Sequence, residues 1–113
     1  MGVGYLGEFE QLILFSVVAL GDDAYGGTIR EAIEERTGRV VSSGAINTTL
    51  GRLAERKYVT ARVAEATPGR AGRPRKYYAI TPAGARALQS SYETIQAMAG
   101  GLTARVTALA EEE

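Results

Sequence analysis

Residues 42–58, SSGAINTTLGRLAERKY, decide the fold. Read as a helix, they place Ile46, Leu50 and Leu53 at i, i+4 and i+7, a single apolar stripe. The other side carries Ser43, Asn47, Thr48, Arg52, Glu55 and Arg56, with short hydrogen-bonding groups early and guanidinium groups later. Ser42 or Ser43 can act as N-cap, accepting from an orphan backbone N–H of the first turn. A helix docked by one face and showing small polar residues and Arg on the other suits a DNA major groove. There Asn and Arg read base edges, while hydroxyls and the helix N-terminus meet phosphates. An ordinary amphipathic surface helix has the same pattern, so the neighbouring sequence must decide.

Downstream the period changes from helix to strand. Val59, Ala61 and Val63 alternate with Thr60, Arg62 and Ala64. Residues 76–81, KYYAIT, put Tyr78 and Ile80 on one face and Tyr77 on the other. Between the two strands runs TPGRAGRPR, residues 67–75, with Gly and Pro punctuation and Arg70, Arg73 and Arg75. That is a β-hairpin with a strongly basic tip. With Lys76, these arginines can follow the phosphates or enter a narrow minor groove, where negative potential attracts Arg. A basic turn alone is a weak motif; directly after an Arg-bearing helix and strand it is much more specific.

Upstream, Leu6 to Leu20 reads as a first helix whose apolar face (Leu6, Phe9, Leu12, Ile13, Val17, Leu20) is wide, and Gly21 ends it. Asp22 and Asp23 are placed to cap a second helix, Tyr25 to Arg36, with Tyr25, Ile29 and Ile33 inward and Thr37-Gly38 as its stop. Helix, helix, helix, hairpin is the winged helix-turn-helix order. The expected fold is therefore α+β, mainly α: a DNA-binding domain over residues 1–81, with central helix 42–58 and wing 59–81.

Thr81-Pro82 opens a last helix over residues 82–113, with Thr as N-cap and Pro at N1. Leu88, Tyr92, Ile95, Ala99, Leu102, Val106 and Leu109 follow at 4-3 spacing, the a/d seam of a helix packed along its length against another. A small winged domain has no second long helix to offer, so the expected partner is a second copy. Gly100-Gly101 sits mid-seam and should loosen or kink it. In such a dimer Phe9, Tyr92, Ile95 and Met98 are candidates to line a pocket for a planar hydrophobic ligand; plain interface packing explains each singly.

Charge distribution points the same way. The net charge is zero, yet the stretch from Arg36 to Lys76 holds ten of the thirteen basic residues and two acids, leaving it at +8 and the flanks at −8. Segregation of this kind is the footprint of a polyanion-binding surface. The absence of Cys and His excludes disulfides, thiolate or imidazole metal sites and Cys- or His-based catalysis. No metal site or cofactor is expected, and no paired acid/base set or phosphate loop suggests an enzyme. No run reaches the length of a membrane span, and MGVGYLGEFE lacks the basic start of a signal peptide, so a cytoplasmic protein is expected.

The chain resembles the PadR-family transcriptional regulators, most closely the short subfamily with a single C-terminal helix. The resemblance is carried by residues 6–39, by SSGAINTTLGRLAERKYV and by GRAGRPRKYYAITPAGARAL, above all by the wing-to-helix junction Gly72 to Gly84. It departs at Asn47, where the family commonly has Tyr, and at Gly27, often a bulky residue. The resemblance implies a bacterial repressor, homodimeric on a palindromic operator. In many members a small aromatic or cationic ligand releases the DNA. A winged helix that binds only protein is the alternative, against which the guanidinium-rich hairpin tip argues.

Overall fold

A computed structural model describes residues 5–64 and 74–112. Arg70 and Arg73 lie outside the described residues. The order is α1 (Glu8–Leu20), a 3-10 turn (Gly21–Asp23), α2 (Gly26–Thr37), α3 (Ser43–Glu55), β1 (Val59–Ala64), β2 (Arg75–Ile80), α4 (Pro82–Ala99) and α5 (Thr103–Ala110). The two strands pair antiparallel, Val59 opposite Ile80 through to Ala64 opposite Arg75. Three helices followed by a two-stranded hairpin make the winged-helix arrangement that the sequence periods predict.

One core holds these elements. Ile13 and Leu14 from α1, Ile29 and Ile33 from α2, and Ile46, Leu50 and Leu53 from α3 are all fully buried. Each such side chain contributes roughly 1.5–3 kcal/mol relative to exposure. Val59, Tyr78 and Ile80 bring the hairpin's inner face to the same cluster, whereas Val63, expected on that face, is exposed.

Helix ends follow local chemistry, not always the expected residue. Ser42 caps α3, its side-chain oxygen accepting from the Ala45 N–H at 3.1 Å. Asp22 and Asp23 do not cap α2; they form the 3-10 turn. The Tyr25 N–H instead donates to the Thr28 hydroxyl at 3.0 Å, satisfying the helix start from inside. Helix α3 stops at Glu55, short of the expected Tyr58, because Lys57 turns left-handed at φ 63°. The Tyr58 N–H then donates to the Leu53 carbonyl and the Lys57 N–H to that of Ala54, a Schellman closure with Lys where Gly is usual.

That turn is bolted to the start of α4. The Thr81 hydroxyl donates to the Lys57 carbonyl at 2.7 Å and accepts from the Gly84 N–H at 3.0 Å. The Thr81 N–H donates to the Tyr58 carbonyl. A Cβ at Gly84 would stand 2.1 Å from that same oxygen, so only glycine lets α4 lie this close. At the other side of α4 the buried Ser91 hydroxyl accepts from the Leu6 N–H at 3.1 Å, tying down the segment before α1.

The long last helix expected over residues 82–113 is two helices. Gly100 adopts φ −50°, ψ 120° and Gly101 φ +75°, which ends α4 and restarts the chain as the eight-residue α5. Paired glycines remove the steric preference that would have carried the helix through. Leu88, expected in an intermolecular seam, lies in this domain's own core. The rest of the stripe faces outward: Ile95 is 62 % exposed and Val106 61 %, and no residue of α5 is buried.

Replacing Gly84 by Ala should lower unfolding stability by about 3 kcal/mol, because the clash is with backbone rather than a flexible side chain. Urea denaturation measures it. A midpoint equal to the parent's would mean that α4 and the α3–β1 turn can part freely.

Candidate nucleic-acid interface

The apolar stripe of α3 is consumed by the core, and its other face is open. Ser43, Asn47, Thr48 and Arg52 are all exposed. The Asn47 side chain leans toward the start of α2: a Cβ at Gly26 would lie 3.3 Å from its Oδ1 atom. Beside Gly26, Tyr25 is half-buried, and its ring fills the space over Gly27.

From Tyr25 the surface continues into the wing. The Arg75 guanidinium lies over the Tyr25 ring, 4.0 Å from its centre. Tyr77 meets Tyr25 edge to face with centres 5.5 Å apart, and the Arg62 guanidinium covers Tyr77 at 4.5 Å. Arg62 and Tyr77 are direct cross-strand partners, which is why they meet. Two anchors fix this layer to the α1–α2 junction: Arg62 donates to the Asp22 carbonyl at 3.2 Å, and the Tyr78 N–H to that of Ala24 at 2.8 Å. Arg75 is held protonated above its ordinary range, chiefly by a hydrogen bond with Tyr77 and, against some desolvation, by Tyr25, Tyr77 and Asp23 nearby. Burial pushes the Tyr78 phenol up.

The basic middle third does not form one patch. Arg39 pairs with Glu8, and Arg56 with Glu10 at 3.4 Å while also lying over the Tyr58 ring. Arg36 lines a groove between α1 and α2 with Leu12, Phe15, Val18 and Ala32. These three therefore serve the α1 side of the molecule, and the +8 sum overstates what α3 and the wing present. Arg52, Arg62 and Arg75 remain on or beside the α3–wing surface; Lys76 is exposed but lies on the other face of the hairpin, opposite Val63. Tyr25 and Tyr77 were not expected there. Tyr25 reads from sequence as an inner-stripe residue, and only the partner that the fold brings from β2 reveals its other use.

The residues expected to line a ligand pocket are not gathered as a set. Phe15, not Phe9, meets Tyr92, edge to face at 5.7 Å, in an open groove with Val18, Ile80 and Leu88. Phe9 packs against the core, and Ile95 and Met98 are exposed farther along α4. Among the described residues there is no cluster of metal-ligating side chains, and no helix is long and apolar enough to cross a membrane.

Residues 14–90, which span most of the core, α2, α3 and the whole wing, match the family model of the transcriptional regulator PadR-like family. The chain belongs to that family. PadR-like proteins are transcriptional regulators and not enzymes. No curated protein sequence matches the chain. Among solved structures it is similar to a PadR family transcriptional regulator from Eggerthella lenta, at 20 % identity and TM-score 0.69 over 93 % of this chain and 83 % of that one. A PadR family regulator from Clostridium difficile R20291 gives TM-score 0.71 at 20 % identity over 88 % of this chain and 99 % of its own. Bacillus subtilis PadR in complex with operator DNA gives 0.62 at 20 % identity, over 73 % of this chain and 45 % of that one. At these identities the likeness is one of fold, which is the winged-helix fold of PadR regulators.

The PadR-like wing should loosen when its inner anchor goes. Arg62→Ala removes one hydrogen bond to a carbonyl and one exposed cation–π contact, an expected loss of about 1 kcal/mol in denaturant melts. A change near zero would place the wing's attachment in the backbone alone.

Proposed function

We propose that this PadR-like regulator is a sequence-specific DNA-binding protein, a repressor that grips an inverted-repeat operator as a homodimer. The reading rests on one observation above the rest: exposed Asn47 on α3, the first turn of α2 and Arg75 of the wing form a continuous surface. In it, α3 enters the major groove with Ser43, Asn47, Thr48 and Arg52 nearest the DNA. Arg75 and Lys76, with Arg70 and Arg73 of the tip, take the phosphates or the adjacent minor groove. The structure of Bacillus subtilis PadR with operator DNA supports the same use of the fold here.

Dimerisation is supported by the outward apolar stripe of α4 and α5, where Tyr92, Ile95, Leu102, Val106 and Leu109 are each 44 % exposed or more. A second copy would cover them and set two α3 helices about one DNA turn apart, or a multiple of it. The open groove at Phe15 and Tyr92 is the site at which a small aromatic or hydrophobic ligand would act on that dimer.

Footprinting on the DNA upstream of the coding region should protect a two-fold repeat; protection nowhere, and no binding to any duplex in dilute salt, would reject the reading. Asn47→Ala should change preference at one base pair by about 1–3 kcal/mol and spare the others. Equal losses on every sequence would remove Asn47 as a base reader. Ile95→Glu should yield single chains at micromolar concentration in sedimentation, because a charge in the seam must be desolvated without a partner. Dimers that survive it would move the two-fold axis elsewhere.

A further inference from the structure

In the first turn of α2, Gly27 borders the space that the Tyr25 ring needs, and Gly26 beside it faces Asn47. A Cβ at Gly27 would fall 2.9 Å from the ring's Cε2 atom, and one at Gly26 would press on Asn47. The ring therefore occupies a seat that a larger residue at position 27 would close. It is held there by β2, which supplies Arg75 on its face and Tyr77 in an edge-to-face contact. A guanidinium stacked on an aromatic ring still presents its N–H edge for bidentate hydrogen bonds to a phosphate, because stacking uses the face and hydrogen bonding the rim. Stacking thus aims the cation, leaves the N–H groups that Tyr77 does not engage free for a partner, and reduces the rotamer freedom lost when it binds.

We propose that Tyr25 is a positioning residue for DNA binding: seated by Gly27, its ring sets Arg75 in register with Asn47 and the rest of α3. Helix α2 is then the coupler between the groove-reading helix and the wing. The inference rests on the DNA-binding reading and adds to it a residue that need not touch DNA. It also gives the glycine at position 27 a use, one that helix propensity alone would oppose.

The test compares the full chain with Tyr25→Leu, Tyr25→Phe, Gly27→Ala, Arg75→Ala and the Tyr25→Leu/Arg75→Ala double variant. Each is titrated with duplex DNA over a range of salt, beside its denaturation midpoint. Tyr25→Leu should weaken binding about two- to fivefold, the worth of an exposed cation–π contact, and Tyr25→Phe should keep wild-type affinity. Gly27→Ala should weaken binding while its midpoint holds or rises, since Ala favours the helix and only the ring is displaced. On the Arg75→Ala background, Tyr25→Leu should have no further effect. Arg75→Ala should lower the slope of log affinity against log salt by roughly 0.9, and Tyr25→Leu should lower it in the same direction. A variant that merely unfolded part of the sample would leave that slope unchanged.

Tighter binding by Tyr25→Leu would mean that the ring withholds Arg75, and losses that add on the Arg75→Ala background would mean that Tyr25 acts elsewhere. Either overturns the positioning role with DNA binding intact. A wild-type chain that binds no duplex fails at the earlier step and takes this role with it.

Discussion

Burial of one stripe of α3 determines everything that the molecule shows to a partner. Ile46, Leu50 and Leu53 are fully buried with Ile29 and Ile33 of α2 and Ile13 and Leu14 of α1. Three aliphatic side chains at roughly 1.5–3 kcal/mol each are a large share of a small domain's net stability, so α3 cannot roll about its axis. Its polar face, from Ser43 to Arg52, is thereby aimed as firmly as the core is packed. The Schellman turn at Lys57 and the contact of Gly84 with Tyr58 then fix where the chain goes next.

The wing is attached by polar and aromatic contacts, a different kind of chemistry. Hydrogen bonds to the carbonyls of Asp22 and Ala24 and a layer of Arg75, Tyr25, Tyr77 and Arg62 join the hairpin to the α1–α2 junction. Contacts of that type are each worth about 1 kcal/mol. The hairpin's base is thus held by contacts weaker than those of the aliphatic core. Charge is divided by the same logic. Acids of α1 occupy Arg39 and Arg56, so the guanidinium groups left beside α3 and the wing are fewer than the linear sequence suggests.

Position along the chain and position in space part company at the C-terminus. The 4-3 spacing of apolar residues is real, but it does not describe one unbroken helix face. Leu88 is drawn into the domain's own core, and Gly100-Gly101 cuts the stripe between α4 and α5. Isolated helices as short as α5 are marginal in water, and Val106 and Leu109 on it, with Leu102 just before it, stay exposed; the dimer proposed above would cover them.

What the sequence by itself determined is whatever depends on near neighbours: helices from the 3.6-residue period, strands from the two-residue period, the Ser42 and Thr81 caps, and the glycine stop at Gly38. The polar face of α3 follows directly, because the stripe on its other side must be buried. What only the tertiary structure decided depends on residues far apart in the chain. Lys57 takes the left-handed turn because residues 54–58 are closed against α4. Tyr25 meets Arg75 fifty residues away. Arg39 and Arg56 find Glu8 and Glu10 across the first three helices. Periodicity reports which face of an element is apolar and is silent on which other element will meet it, and every surprise in this molecule lies in such a meeting.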